Sequence, residues 1–175
     1  MGNISSEVLN VIKEAIKLEI NGRIFYEHSA EVTENKLGKK MFQKLAQDEI
    51  GHIDTFGQIF SSIVGSEEWK KYISEEETKF NSSIIEELNS KFKEGKEEKS
   101  GELGAIRIGM ELERKSIKFY EKSANETNDQ KAKEIFRKIT DEEKLHYDLL
   151  QAQYDYITKS GFWFDVAEFR MDGKF

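Results

Sequence analysis

The sequence predicts an all-α chain whose residues 1–160 form a four-helix bundle of two repeated helical hairpins. Three observations support this prediction. The chain of 175 residues has no proline and is rich in Glu, Lys, Ile and Leu, which favour helices. Apolar residues recur at alternating steps of three and four along four long segments. Residues 12–63 also align with 106–157 without a gap, and sixteen of these fifty-two positions are identical. Two hairpins that cannot bury their own apolar faces are expected to pack together.

The first repeat, residues 5–65, predicts two helices. They run over about residues 6–34 and 39–64. Ser5 or Ser6 can cap the first helix, residues 35–38 interrupt it, and Gly65 ends the second. The short turn between them predicts an antiparallel pair.

The second repeat, residues 100–160, predicts the same arrangement. Its helices run over about residues 100–126 and 130–159. Ser100 can cap the third helix, residues 127–129 form the turn, and Gly161 ends the fourth helix.

Two segments lie outside the repeats. The connection over residues 66–99 is long enough to cross from one end of the bundle to the other, and a further helix is expected from Phe80 to Phe92. Trp69 and Tyr72 are expected to anchor this crossover. The tail, residues 161–175, begins with four aromatic residues in eight and is expected to dock on its own bundle or on a neighbouring subunit.

Composition excludes several classes of function. The chain has no cysteine, which rules out disulfides, thiol nucleophiles and Cys-ligated clusters. Its net charge is −7 and no segment concentrates positive charge, so a nucleic-acid partner is not expected. Apolar runs are short and the N-terminal segment does not look like a signal peptide, so we expect a cytoplasmic protein with no membrane association.

The predicted core contains ionisable residues. Each long helix places one glutamate on its apolar face, and the second and fourth helices add a histidine three residues later. These residues are Glu19, Glu49, His52, Glu113, Glu143 and His146. Unpaired buried carboxylates cost several kcal/mol each. Two divalent cations would neutralise the four carboxylates and account for the two imidazoles. One Glu from each of two helices and Glu-x-x-His from each of the others is the ligand pattern of di-iron carboxylate bundles.

The doubled pattern resembles the ferritin-like superfamily, and specifically its rubrerythrin-like branch, over about residues 5–160. The resemblance implies a ferritin-like four-helix bundle that holds two iron ions in a binuclear non-haem site. It implies that Glu49 and Glu143 bridge the ions, that Glu19 and Glu113 are terminal ligands, and that each ion has one histidine. Manganese or zinc fits the same ligands.

Further residues are candidates for roles beside the metals. Tyr26 and Tyr120 follow the terminal glutamates by seven residues and are similar to tyrosines beside the metal pair in rubrerythrins, which implies a catalytic role. Ordinary core tyrosines with satisfied hydroxyls are an equal alternative. Asp48, Asp141 and Glu142 can orient the histidine rings, with an exposed helix face as the alternative.

The family resemblance implies a di-iron oxidoreductase that reduces hydrogen peroxide or dioxygen. Because the chain has no Cys₄ iron domain, electrons are expected from an external donor such as a rubredoxin-type protein. A homodimer or larger homo-oligomer is expected. Rubrerythrins carry an extra glutamate where this chain has Ser116, whose repeat mate is Gly22. The resulting six-ligand site is closer to that of bacterioferritins.

Three alternatives remain open at this stage. A ferroxidase that feeds iron storage would use the same ligands and require a larger assembly. An oxidase or oxygenase would need an apolar channel to the metals. A metal-free scaffold would be colourless and indifferent to chelators.

Overall fold

The computed structural model describes residues 6–78, 85–86, 89–90 and 100–166, and its regular structure over these ranges is helical. The helices in chain order are α1 Ser6–Val32, α2 Lys36–Val64, α3 Ser66–Thr78, α4 Ser100–Glu126 and α5 Gln130–Ser160. The prediction of an all-α, ferritin-like bundle is confirmed, and α1, α2, α4 and α5 are its long helices. The helix expected from Phe80 to Phe92 lies mostly outside the described residues, although 85–86 and 89–90 are helical.

The ends of the helices follow from local capping. Asn35 precedes α2, and its side-chain oxygen accepts from the backbone N–H groups of Leu37 at 2.9 Å and Gly38 at 3.2 Å. This cap starts α2 at Lys36, three residues before the predicted start. Asp129 caps α5 in the same way through Ala132 N–H at 2.8 Å.

The long helices pair as two hairpins, α1 with α2 and α4 with α5, and α1 also packs against α4. Two apolar clusters fill the bundle at different levels. One contains Phe25, Phe42 and Trp163, and the other contains Phe56 and Phe136. Burying each such side chain contributes about 1.5–3 kcal/mol. The six predicted ligands belong to neither cluster, so the chain has apolar packing around a polar centre.

The crossover is anchored where the sequence predicted. The Trp69 ring of α3 packs so closely on Gly57 that a Cβ atom there would lie 2.3 Å from it. Tyr72 stacks on Phe60 with ring centroids 5.5 Å apart, and its hydroxyl donates to the Lys13 carbonyl at 3.2 Å. None of the helices among the described residues is long and apolar enough to cross a membrane.

The described part of the tail docks on its own bundle. Trp163 is 6% exposed, packs edge-on against Phe42, and donates its Nε1–H to Glu102 Oε2 at 2.9 Å. A Cβ atom at Gly38 would lie 2.7 Å from the Trp163 ring, so this glycine makes room for it. Phe162 is 71% exposed.

Candidate metal centre

The structure brings the six predicted ligands together. Glu19 lies on α1, Glu113 on α4, and the two Glu-x-x-His pairs on α2 and α5. All six residues are buried, and none is more than 4% exposed. Because residues three apart share a helix face, each Glu-x-x-His pair presents both groups to the same point.

The six residues form two overlapping groups. Ligand atoms of Glu19, Glu49, His52 and Glu143 all lie within 4.8 Å of one another. The same holds for Glu49, Glu113, Glu143 and His146. Glu49 and Glu143 belong to both groups, and each group has one further glutamate and one histidine. This is the arrangement that two metal ions with two shared carboxylates require.

Gly22 of α1 lies directly against this cluster. A Cβ atom at Gly22 would lie 3.2 Å from Cδ of Glu49 and 3.4 Å from its Oε2. Glu49 therefore occupies the space into which a side chain at position 22 would project. Ser116, the repeat mate of Gly22, is only partly buried.

The hydrogen bonding of the cluster fits a cation. Glu143 Oε1 lies 2.9 Å from His52 Nδ1, and Glu143 Oε2 lies 3.3 Å from His146 Nδ1. Yet both Glu143 oxygens and His146 Nδ1 lack a well-oriented hydrogen bond. Buried polar atoms normally have partners, and an exception calls for an explanation such as a bound ion. Carboxylate and imidazole are suitable ligands for divalent iron, manganese or zinc.

In the metal-free protein, protons compensate the crowded charges. Burial and the charge of Glu143 raise the pKa values of Glu49 and Glu113 well above the usual range. Burial also acts on Glu143, but contacts with Glu113 and both imidazoles outweigh it and lower its pKa. For His146, Asp48 and Glu143 outweigh burial and raise the pKa to about 9. Metal ions must therefore displace protons from this site.

Both predicted tyrosines contact the outer carboxylates. The hydroxyl of Tyr26 donates to Glu113, and the hydroxyl of Tyr120 donates to Glu19. Each bond joins the two repeats. Burial, followed by the charges of the nearby glutamates, raises the pKa of both phenols, so they stay protonated donors.

The far nitrogens of the imidazoles face carboxylates on the outer side of the cluster. His52 Nε2 lies 2.8 Å from Glu142 Oε2, and His146 Nε2 lies 3.4 Å from Asp48 Oδ2. Asp141, the third candidate, is exposed and has no such contact with either ring in the described structure.

Two lysines complete this outer layer, and the sequence reasoning missed them. Lys44 pairs with Asp48, and Lys138 pairs with Glu142, each one helical turn earlier. A signal was present, because position 138 is the repeat mate of position 44 and both are lysine.

A cleft of about 350 Å³ opens over the outer layer. Its lining residues are Lys44, Gln47, Asp48, Gly51, His52, Glu142, Leu145 and His146. The cleft lies between α2 and α5 and leads from the surface to the two imidazole rings.

Comparison with known proteins adds a family. A family model described as rubrerythrin matches residues 10–154, a range that includes all six ligands and both tyrosines. The Uncharacterized protein YhjR of Bacillus subtilis (strain 168) is 25% identical over 135 residues, which cover 77% of this chain and 78% of that protein. No solved structure gives a significant match.

Proposed function

Because the chain belongs to the rubrerythrin family, we propose that it is a di-iron oxidoreductase that reduces hydrogen peroxide to water with electrons from an external donor. One observation carries the metal part of this proposal. Two groups of four residues share Glu49 and Glu143 at the buried centre of the bundle, and the ligand atoms within each group lie within 4.8 Å of one another.

Each residue of the cluster has a role in this proposal. Glu49 and Glu143 would be ligands to both ions, Glu19 and His52 would complete the ligand set of one ion, and Glu113 and His146 that of the other. The four carboxylates carry four negative charges and two divalent ions carry four positive charges, so the loaded site is neutral. When bound, the Fe(II) pair supplies two electrons, the number that converts one peroxide to two waters.

The chain itself controls protons and water. Reduction of one peroxide to two waters consumes two protons in addition to two electrons. The phenol O–H groups of Tyr26 and Tyr120 hold protons at Glu113 and Glu19, beside the two subsites. The apolar clusters keep bulk water from the site except on the side of the cleft, which strengthens each polar interaction inside.

The electron donor that we propose follows from the composition of the chain. No cysteine is present, so no Cys₄ iron centre of its own can supply electrons. An external donor of the rubredoxin type is the partner we propose. We also propose a homodimer or larger homo-oligomer in the cytoplasm.

A ferroxidase is the second candidate, and the missing extra glutamate at position 116 favours it. The position where rubrerythrins carry an extra glutamate is Ser116, and its mate is a glycine packed against Glu49. A symmetric six-ligand site of this kind suits iron oxidation for storage as well as peroxide reduction. Zinc in place of iron has no redox chemistry and would support neither activity.

Anaerobic loading with Fe(II) followed by peroxide or air tests the proposal. Two irons oxidised and retained per chain, with peroxide faster than air, support the peroxidase. Retention of many more irons, together with a large cage-like assembly, supports the ferroxidase. The variants E49A and H146A should lose peroxide reduction, whereas D54N, an exposed change on α2, should keep it.

A further inference from the structure

The outer layer of the site has the same parts in both halves. Each imidazole faces a carboxylate from the other hairpin, and that carboxylate has a lysine four residues before it. The two sets are Lys138–Glu142–His52 and Lys44–Asp48–His146. The repeat places equivalent residues at equivalent positions, with one difference, because position 142 is Glu and position 48 is Asp.

This difference changes the partner of the carboxylate. Glu142 Oε2 lies 2.8 Å from His52 Nε2, while its lysine stays 3.6 Å from Oε1. Asp48 is shorter by one methylene, and it is bound by Lys44 through both oxygens. Its distance to His146 Nε2 is 3.4 Å. Glu142 therefore binds the imidazole, whereas Asp48 is held by its lysine.

A carboxylate on Nε2 prepares a histidine to bind metal through Nδ1. The hydrogen bond fixes the tautomer that carries the proton on Nε2, orients the ring and makes Nδ1 a better ligand. Both carboxylates are partly exposed, with 39% of the Glu142 side chain and 26% of the Asp48 side chain accessible. The two carboxylates therefore differ in their distance from the imidazole Nε2 atom rather than in being buried or exposed.

The inner ligands differ in the same direction. His52 Nδ1 lies 3.0 Å from Glu19 Oε2 and 2.9 Å from Glu143 Oε1. In the other subsite, His146 Nδ1 lies 3.3 Å from Glu143 Oε2 and 3.7 Å from Glu113 Oε1. The His52 nitrogen therefore lies closer to both of its carboxylates than the His146 nitrogen does to the corresponding pair.

We propose that the two subsites are unequal and that the first divalent ion binds at Glu19 and His52, with Glu142 as the positioning residue and Asp48 held more closely by Lys44 than by His146. This inference rests on the proposed function, because it assumes that the cluster binds two ions. It adds an order of loading that the near-symmetry of the repeats does not predict.

Single-subsite variants of the full chain measure the difference directly. The metal-free variants H146A and H52A are titrated with Co(II) alone against a competing chelator, and binding is followed by visible absorption. H146A, which keeps the His52 subsite, should bind one ion about 10-fold or more tighter than H52A does. Because each affinity is measured for a single bound ion, repulsion between two bound ions does not affect the comparison.

The positioning residues are tested in the otherwise unchanged chain, since these partly exposed changes do not disturb the core. E142Q should weaken the first binding step by about 10–100-fold, the usual effect of losing such a partner. D48N, the matched control, should change this first step by less than about threefold. K44M should free Asp48 to bind His146 and should tighten the binding of the second ion. If Lys44 had only a structural role, its loss would not tighten metal binding.

The outcomes separate this inference from the proposed function. Equal affinities of H52A and H146A, or a loss in D48N as large as that in E142Q, would overturn the inequality and leave a two-metal site in place. If the unchanged chain binds no Co(II), the proposed function fails and the inequality fails with it.

Discussion

Replacing Glu49 by glutamine should change stability in opposite directions with and without metal. The substitution removes one charge from the centre of the cluster and keeps the size of the side chain. Glu49 is 3% exposed, and its pKa is raised by burial and by Glu143 and Glu19. In the metal-free protein the raised pKa favours the protonated form of Glu49, so folding takes up a proton there at a cost in stability, which the neutral amide of E49Q avoids.

The size of each effect follows from general magnitudes. The effective desolvation penalty of a buried ion is several kcal/mol, and we expect E49Q to recover about 2 kcal/mol of it. A gain of about 2 kcal/mol in a chain of this length raises Tm by roughly 4–8 °C. With metal, each ion at 100 times its Kd stabilises the parent by about 2.7 kcal/mol. E49Q should lose most of that gain, because the residue it replaces serves both subsites.

Thermal unfolding followed by circular dichroism tests this prediction in chelator and in excess Co(II). The expected order is E49Q above the parent in chelator and below it in metal. E34Q, an exposed change between α1 and α2, should stay within about 0.5 kcal/mol of the parent in both conditions. If E49Q melts below the parent in chelator, or gains as much from metal, our account of Glu49 is refuted.

Three further predictions concern packing, protons and pH. G57A should destabilise the fold by about 1–3 kcal/mol because its Cβ would lie 2.3 Å from the Trp69 ring, whereas G51A, which meets nothing within 4 Å, should stabilise α2 by about 1 kcal/mol. Urea unfolding of both variants checks this, and equal effects would contradict it. Y120F should slow peroxide consumption in stopped-flow assays while the bound iron stays at two per chain, and an unchanged rate would remove the tyrosine from the proton path. The metal-free protein should lose stability as pH rises from 6.5 to 9, because the folded state holds a proton on His146, whose pKa is raised to about 9, that the unfolded state releases near 6.5. A higher Tm at pH 9 than at pH 6 in chelator would contradict this sign.

The fold and the cluster were predictable because both depend on local periodicity. Alternating steps of three and four define a helix face, and Glu-x-x-His puts two ligands on that face whatever the rest of the chain does. Glu49 follows Glu19 at the same separation as Glu143 follows Glu113. This doubled pattern indicated that the four helix faces meet at one centre. The structure brings these residues together as the spacing predicted.

The features that sequence reasoning missed depend on contacts between distant segments. The close packing at Gly57 depends on the Trp69 ring, which belongs to another helix. The early start of α2 depends on the hydrogen bonds of the Asn35 side chain. Asp141 and Glu142 were equal candidates, although the repeat distinguishes them, because Glu142 is the mate of Asp48 and Asp141 is the mate of a glutamine. That each carboxylate reaches the imidazole of the other hairpin could be learned only from the packed bundle.

An anaerobic Fe(II) titration followed by one addition of hydrogen peroxide tests the proposed di-iron peroxidase. Two irons per chain should bind, one peroxide should oxidise both to Fe(III), and E49A and H146A should bind fewer than two. A chain that retains no iron would contradict the metal centre. Oxidation and retention of many irons per chain would contradict the peroxidase and indicate iron storage.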